Sequence, residues 1–333
     1  MSTVADFTER DLIARIQARL PPAPDWIAVG IGDDAAVVEP ERNRLEVLSV
    51  DAIVEGIHFD RRFTPPHAIG HRALAVNLSD LAAMGAAPRL ALLSLALPPA
   101  LRCDDFDAMV TGLAALAARY RVHVAGGNLT RSPGPLMIDI TIIGSVKRRH
   151  VLTRRGARQG DQVYVSGSIG AAAAGLQTLR ARTDATTELC VHRYLYPDPR
   201  MRLGLLLGRN QAATACMDLS DGLSDGIRHI AEGSGVGMTI DADALPIDHA
   251  VRERLSANGG DPVVAALTGG DDYELLFTVR PRHLGRLKTV SRHSNVPIAR
   301  VGVCTSDPAV LLRRTVNGTV EHMPIPLGYS HFA

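Results

Sequence analysis

Five short segments of this 333-residue chain set carboxylates beside glycine or serine: GDDAAVV (32–38), SVD (49–51), NLSD (77–80), DLSDG (218–222) and GGDDYELLF (269–277). Their neighbours are apolar. Aspartates set against buried strands and helix starts suffer desolvation and mutual repulsion unless cations neutralise them, and magnesium takes a few carboxylates together with phosphate oxygens. If the segments converge, the chemistry is that of a nucleotide-phosphate site. Taken singly, each aspartate has a plainer reading: Ser79 and Ser220 fit helix N-caps, with Asp80 and Asp221 near the positive end of a helix dipole. Capping alone does not require like charges side by side, as in Asp33-Asp34 after Gly32 and Asp271-Asp272 after Gly270.

Other chemistries find less support. GSIGAAAAG (167–175) follows a strand and opens a helix, but lacks GxGxxG spacing and reads as a tight turn into a packed helix. Arginine supplies 34 of the 36 basic residues, and neither Lys147 nor Lys288 follows a glycine-rich loop, which excludes a Walker-type phosphate loop. The 12 histidines include no HExxH, and no GxSxG occurs. His58 closes an apolar strand segment and reads first as a surface or capping histidine.

The four cysteines, Cys103, Cys190, Cys216 and Cys304, form no CxxC pair, so neither a zinc cluster nor a disulfide framework is expected, and a reducing cytoplasm fits. Residues 1–150 carry 16 basic and 17 acidic groups and the remainder 20 and 18, which argues against a nucleic-acid stripe or a membrane-binding face. The N-terminus lacks a signal-peptide core, and no run reaches the ~18 apolar residues of a membrane span.

The elements that must position these carboxylates follow from periodicity. Leu12, Ile13, Ile16 and Leu20 repeat at helical spacing before Pro21-Pro22, and LEVLSVD (45–51) reads as a strand that delivers Asp51 to its end. HRALAVNLSDLAAMG and residues 104–120 read as helices, VHVAGGN as a short strand broken by glycines. In LMIDITIIGSV (136–146), Ile138, Ile140 and Ile142 alternate with Asp139 and Thr141, as in a strand with one buried face. KRRHVLTRRGARQG (147–160) is the best linker, so domains are expected over 1–147 and 148–333. Both halves read as α/β with mixed sheets. NLSDLAAMG and DLSDGLSDG also share a Leu-Ser-Asp core, one in each half, which two related domains would explain.

With these segments in hand, GIGDDAAVV, SVDAIVEGIHF, ALAVNLSDLAAMGA, GGNLTR, VLTRRGARQGD, MDLSDGL, GGDDYELLF and GYSHF, in this order and across nearly the whole chain, resemble the thiamine-monophosphate kinase family. His58-Phe59 with GGDDYEL separates it from the rest of the aminoimidazole-ribonucleotide-synthetase-like superfamily. The resemblance implies direct in-line transfer of the ATP γ-phosphoryl group to thiamine monophosphate, giving thiamine diphosphate and ADP without a covalent enzyme intermediate. The physics agrees, because the acceptor is already a phosphate oxyanion and the protein must chiefly align and screen two polyanions. Two unit charges 4 Å apart repel by roughly 4 kcal/mol at an effective dielectric near 20.

By the same resemblance, several Mg2+ ions would be bound by Asp34, Asp51, Asp80, Asp218 and Asp221, with Asp33 and Ser49 assisting, and catalysis would depend most on Asp34, Asp51 and Asp218. Tyr120, Gly127, Asn128, Arg154 and Ser220 would contact ATP. His58, Asp271 and Tyr329 would face thiamine phosphate, the last two beside its cationic or aromatic ring. The implied fold is α/β of the α+β type. Its N-terminal domain carries a mixed or antiparallel sheet that pairs across a homodimer into a β-barrel, with the ATP site near that interface, and a C-terminal α/β domain completes the ATP and substrate sites.

Two residues depart from the pattern. Asn128 stands where the family's GGD has a magnesium-binding aspartate, bringing an amide oxygen without charge, and Val50 replaces a threonine between Ser49 and Asp51. These departures motivate a rival reading, a catalytically silent nucleotide-binding protein. Another ATP-dependent synthetase of the superfamily fits less well. In particular, the reactive N-terminal Cys and Lys of selenophosphate synthetase are missing, since the first cysteine is Cys103 and the first lysine Lys147.

Overall fold

A run of alternating isoleucines, Ile138, Ile140 and Ile142, builds an inner strand of one sheet, and an uninterrupted buried run, Leu275–Val279, builds an inner strand of another. The structure, a computed structural model, describes residues 2–181, 188–257, 259–316 and 318–328. The chain divides into two compact units, Met1–Leu81 with Ala87–Lys147, and Ala82–Ala86 with Arg148–Ala333. A cut at a single point in the chain does not anticipate the 82–86 turn joining the second unit.

The first unit contains α1 (Glu9–Gln17), β1 (Ile27–Val29), β2 (Val37–Val38), β3 (Leu45–Val54), α2 (Pro66–Ala83), β4 (Ala87–Leu97), α3 (Cys103–Tyr120), β5 (His123–Arg131) and β6 (Met137–Val146). Its main sheet has the order β3-β6-β4-β5, antiparallel except between β4 and β5, and it is open, with β3 and β5 at the edges. One face, carrying Ile53, Ile138, Ile140, Ala91, Leu93 and Leu95, is buried. The alternate residues of β3 point the other way, and Leu48 and Val50 are 64% and 58% exposed.

Local chemistry explains the helix ends. The Asp11 carboxylate accepts the Thr8 N–H at 2.9 Å while the Thr8 hydroxyl accepts the Asp11 N–H, a reciprocal cap that starts α1. Helix α2 starts at Pro66, whose fixed φ and missing N–H suit a first turn, and so begins before the HRALAV run. Ser79 therefore lies inside the helix, fully buried, and Asp80 falls in its last turn rather than its first. The N-cap reading of this serine fails because capping and interior sites share a local sequence pattern. A Cβ on Gly70 would lie 1.8 Å from the Met109 carbonyl oxygen, and one on Gly112 2.0 Å from that of His67, so two glycines let the backbones of α2 and α3 touch.

The second unit holds β7 (Gln162–Ser166), α4 (Ala171–Ala181), α5 (Glu188–Leu195), α6 (Met201–Arg209), β8 (Ala215–Asp218), α7 (Leu223–Ser234), β9 (Gly237–Asp241), α8 (His249–Ser256), α9 (Pro262–Thr268), β10 (Leu275–Val279), α10 (Leu284–Ser294), β11 (Ile298–Thr305), β12 (Val310–Val316) and β13 (Thr319–Pro324). Its strands run β13-β12-β9-β11-β7-β10-β8, mixed because β12 and β9 are parallel. Val163, Val165, Met217, Leu276 and Ile240 of the sheet pack with Ala174, Ile227, Ile230, Val251 and Ala266 of the helices in one core. Both units are thus mixed α/β.

Ser220 also fails as an N-cap, since Gly222 occupies that position of α7 with φ 110°. The Leu-Ser-Asp echo has no structural counterpart: one copy is inside a helix, the other joins a strand to a helix. The four cysteines are free and buried, and no helix among the described residues is long and apolar enough to cross a membrane.

Candidate functional site

In the first unit the loop carrying Asp33 and Asp34 is tied to α1, where Gln17 donates to the Ile31 carbonyl at 3.2 Å, and the Asp34 N–H donates to Asp33 Oδ1 at 2.9 Å. Both aspartates are exposed. They share a cavity of about 590 Å³ with Gly127 and Asn128 of β5 and with Glu9 and Arg10 of α1. A Cβ at position 127 would meet the Leu93 carbonyl oxygen at 1.9 Å, so only glycine lets β5 approach β4 there. Asp34, Gly127 and Asn128, singled out separately from the sequence, therefore line one pocket. Glu9 and Arg10 join them without any motif to announce it.

The other edge of the same sheet holds a second carboxylate group. Ser49 and Asp51, two apart on β3, share the face turned to α2, and the Ser49 hydroxyl bonds Asp80 of that helix. Asn77 clamps the strand: its amide oxygen accepts the Asp51 N–H at 3.1 Å, and its amide nitrogen donates to the Asp51 carbonyl at 3.3 Å. No motif announces Asn77, which lies three residues before Asp80 on the same helix and so shares its side of it. Val50 lies between Ser49 and Asp51 but stands on the opposite face, so its departure from threonine leaves that pair's side chains untouched. Asp51 and Gly127 belong to one row of the sheet, Asp51-Ile140-Leu93-Gly127. Three strand spacings, about 14 Å, separate them within one chain.

His58 follows β3, and its Nδ1 accepts the Val54 N–H at 3.0 Å, which leaves the ring proton on Nε2. Tyr120 ends α3 with the Arg119 guanidinium 5.3 Å from its ring centroid.

In the second unit two loops are zipped together. The Asp271 N–H donates to the Ser220 carbonyl at 2.7 Å and the Tyr273 N–H to the Leu219 carbonyl at 2.9 Å, continuing the β8/β10 ladder past Asp218. Asp218 is buried, Ser220 half-buried and Asp221 exposed. Asp271 and Tyr273 adopt φ of 70° and 50°, a left-handed conformation costing about 1–3 kcal/mol per non-glycine residue. What holds them is visible in their neighbours. Glu274, fully buried, accepts from Arg193 at 2.8 Å, from Arg200 Nε at 2.6 Å and from Ser166 at 2.6 Å. Asp272 accepts from the Gly170 and Ala172 N–H groups at 2.7 and 3.3 Å, at the start of α4.

Burial raises the Asp272 carboxyl to about 7, against the two backbone donors that lower it, and Glu274 adds to the rise. The glycine loop before α4 thus meets an internal carboxylate, which agrees with the tight-turn reading of GSIGAAAAG. Arg154 is exposed beside the start of β8, where the Thr153 carbonyl accepts the Cys216 N–H at 2.8 Å. Asp218 closes the other end of that strand, about 10 Å further on. Tyr329 lies outside the described residues.

Among the described residues no three His, Cys, Asp or Glu side chains form a group that could hold a metal ion by themselves. The donors come in smaller sets, Asp33-Asp34, Ser49-Asp51-Asp80 and Asp218-Asp221. This suits magnesium, which is commonly held by one or two carboxylates and completed by waters and substrate phosphates. Asp80 adds a physical reason: a carboxylate in the last turn of a helix opposes the dipole, and a cation beside it removes the conflict.

The model of the AIR synthase related protein N-terminal domain matches residues 32–146, and that of the C-terminal domain matches residues 158–313. The chain is 38% identical over 335 aligned residues to the thiamine-monophosphate kinase of Salmonella typhimurium, covering 98% of each chain. It is similar to the crystal structure of thiamine-monophosphate kinase from Stenotrophomonas maltophilia K279a, with TM-score 0.82 and 39% identity over 95% of this chain and 98% of that one. A structure of AaThiL complexed with AMPPCP and TMP matches with TM-score 0.76 and 30% identity over 100% of this chain and 99% of that one.

Proposed function

This chain belongs to the thiamine-monophosphate kinases of the AIR-synthase-related family, and we propose that it phosphorylates thiamine monophosphate with ATP by direct in-line transfer of the γ-phosphoryl group. The observation that carries this reading is the likeness, over 100% of one chain and 99% of the other, to a protein holding AMPPCP and TMP together. AMPPCP is an ATP analogue with a methylene between its last two phosphates, so donor and acceptor sit in one protein without reacting. A ternary complex of that kind suits direct transfer.

We assign roles to the residues of each unit separately. In the first, Gly127 and Asn128 present backbone and amide groups to ATP phosphates, with Asp33 and Asp34 across the same cavity and Tyr120 also toward the nucleotide. Ser49, Asp51 and Asp80 offer oxygen donors, and Asn77 fixes the strand that carries two of them. In the second, Asp218 and Asp221 are the metal-binding carboxylates, Ser220 and Arg154 contact ATP, and Asp271 faces thiamine phosphate from a strained, braced loop. His58 and Tyr329 complete the acceptor contacts. Bound Mg2+ supplies screening of the two phosphate groups. The protein's own part is to hold donor and acceptor in line, since the acceptor oxyanion needs little help from a base.

The domains over 1–147 and 148–333 then divide the work, the first for ATP, metal and pairing, the second for the remaining nucleotide and substrate contacts. Pairing of two N-terminal sheets into a barrel is supported by the open sheet and by exposed Leu48 and Val50 on its face, since uncovered sheet edges and apolar faces invite a partner.

Incubating the protein with Mg-ATP and thiamine monophosphate is the direct test. Thiamine diphosphate and ADP in equal amounts are expected. ATP binding without product would favour the silent nucleotide-binding reading that Asn128 motivates.

A further inference from the structure

We propose that Asp225 and Arg228 of α7 are positioning residues for the acceptor, because they fasten the C-terminal segment 325–328 to the helix that follows the Asp218–Asp221 loop. The guanidinium Nη2 of Arg228 donates to the Ile325 carbonyl at 2.5 Å and to the Pro326 carbonyl at 3.2 Å. One turn nearer the loop, the Asp225 carboxylate lies against the backbone of Gly328, so that a Cβ at position 328 would lie 1.7 Å from Asp225 Oδ2. Asp225 and Arg228 are three apart and present one stripe of α7 to the segment.

Ile325 is buried in the core, Leu327 is 79% exposed, and Pro326 and Gly328 on either side of it meet Arg228 and Asp225 of α7. All of these contacts engage the backbone of the segment. They call for no particular side chain at 326 or 327, while a side chain at 328, the residue before Tyr329 in the chain, would push the Asp225 carboxylate aside. Gly328 therefore lies against the first turn of α7, next in sequence to the proposed Ser220 and Asp221 contacts.

The inference rests on the reading that Tyr329 faces thiamine phosphate, and the experiment separates the two. In the full-length enzyme, KM is measured for each substrate with the other saturating, for Arg228→Ala, Arg228→Lys, Gly328→Ala and a chain ending at Gly328. Arg228→Ala is expected to raise KM for thiamine monophosphate about tenfold, the scale of one lost charge-assisted hydrogen bond, and to leave KM for ATP unchanged. Arg228→Lys, which keeps a cationic donor, is expected to recover most of the loss, and Gly328→Ala to act in the same direction as Arg228→Ala. If the shortened chain raises KM for thiamine monophosphate but Arg228→Ala does not, the clamp is wrong while the Tyr329 reading stands. If the shortened chain has an unchanged KM, the Tyr329 reading falls and the clamp's role falls with it. Equal rises in both KM values for Arg228→Ala, without rescue by lysine, would assign it a purely structural role.

Discussion

Asp51 and Asp218 carry much of the account at the scale of single residues. Asn77 grips the backbone of Asp51 rather than its carboxylate, and Asp218 closes a strand whose ladder is made by main-chain groups. Asp51→Ala or Asp218→Ala should lower kcat by at least about a hundredfold, the order seen when one transition-state charge contact is lost, with the thermal midpoint little changed. A variant retaining near-normal turnover would remove that residue from the metal site. Asn128 makes a subtler point. It lines the cavity shared with Asp33 and Asp34, where a charge at 128 would strengthen cation binding. Asn128→Asp is expected to lower the magnesium concentration for half-maximal activity, and an unchanged titration would contradict that. The carboxylates were legible because like charges beside glycine in apolar surroundings need a reason. Glu9, Arg10 and Asn77 were not, since their part arises only where α1 meets β5 and where α2 crosses β3.

At the scale of elements, the GGDDYELLF segment uses consecutive residues for different tasks. Asp271 is held in a left-handed conformation, Asp272 caps α4, and Glu274 binds two arginines. Asp272 has a consequence in pH. Its carboxyl titrates near 7 in the folded protein against an ordinary value of 3.8, so the folded state binds the extra proton between those values. Stability from this group is therefore full below about pH 4, falls as pH rises toward 7, and is level above. Urea midpoints measured from pH 4 to 8 should show this decline flattened in Asp272→Asn relative to the parent. An equal slope in both would place the titration elsewhere. Strand alternation at Ile138, Ile140 and Ile142 was readable because it reports a buried face directly. The ends of α2 and α7 were not, because a serine followed by aspartate has the same local look inside a helix, at its cap, or in the loop before it.

At the scale of the whole molecule, two mixed α/β units each bring their own carboxylates, and among the described residues neither gathers three that could hold a metal alone. The polar, basic stretch after residue 146, where the Ile-rich strand ends, lies where the chain passes from the first compact unit to the second. The sequence could not show that residues 82–86 join the second unit, since contacts such as the Leu152 N–H to the Met84 carbonyl, far apart in the chain, leave no local pattern. The account's central claim is that this chain moves a phosphoryl group from ATP onto thiamine monophosphate directly. The most direct measurement is a single turnover with ATP labelled at the γ-phosphate, followed in product, nucleotide and protein. The label should appear in thiamine diphosphate in step with ADP, with none retained on the protein. Label that stays in ATP would contradict the claimed activity, and label trapped covalently on the protein would contradict direct transfer.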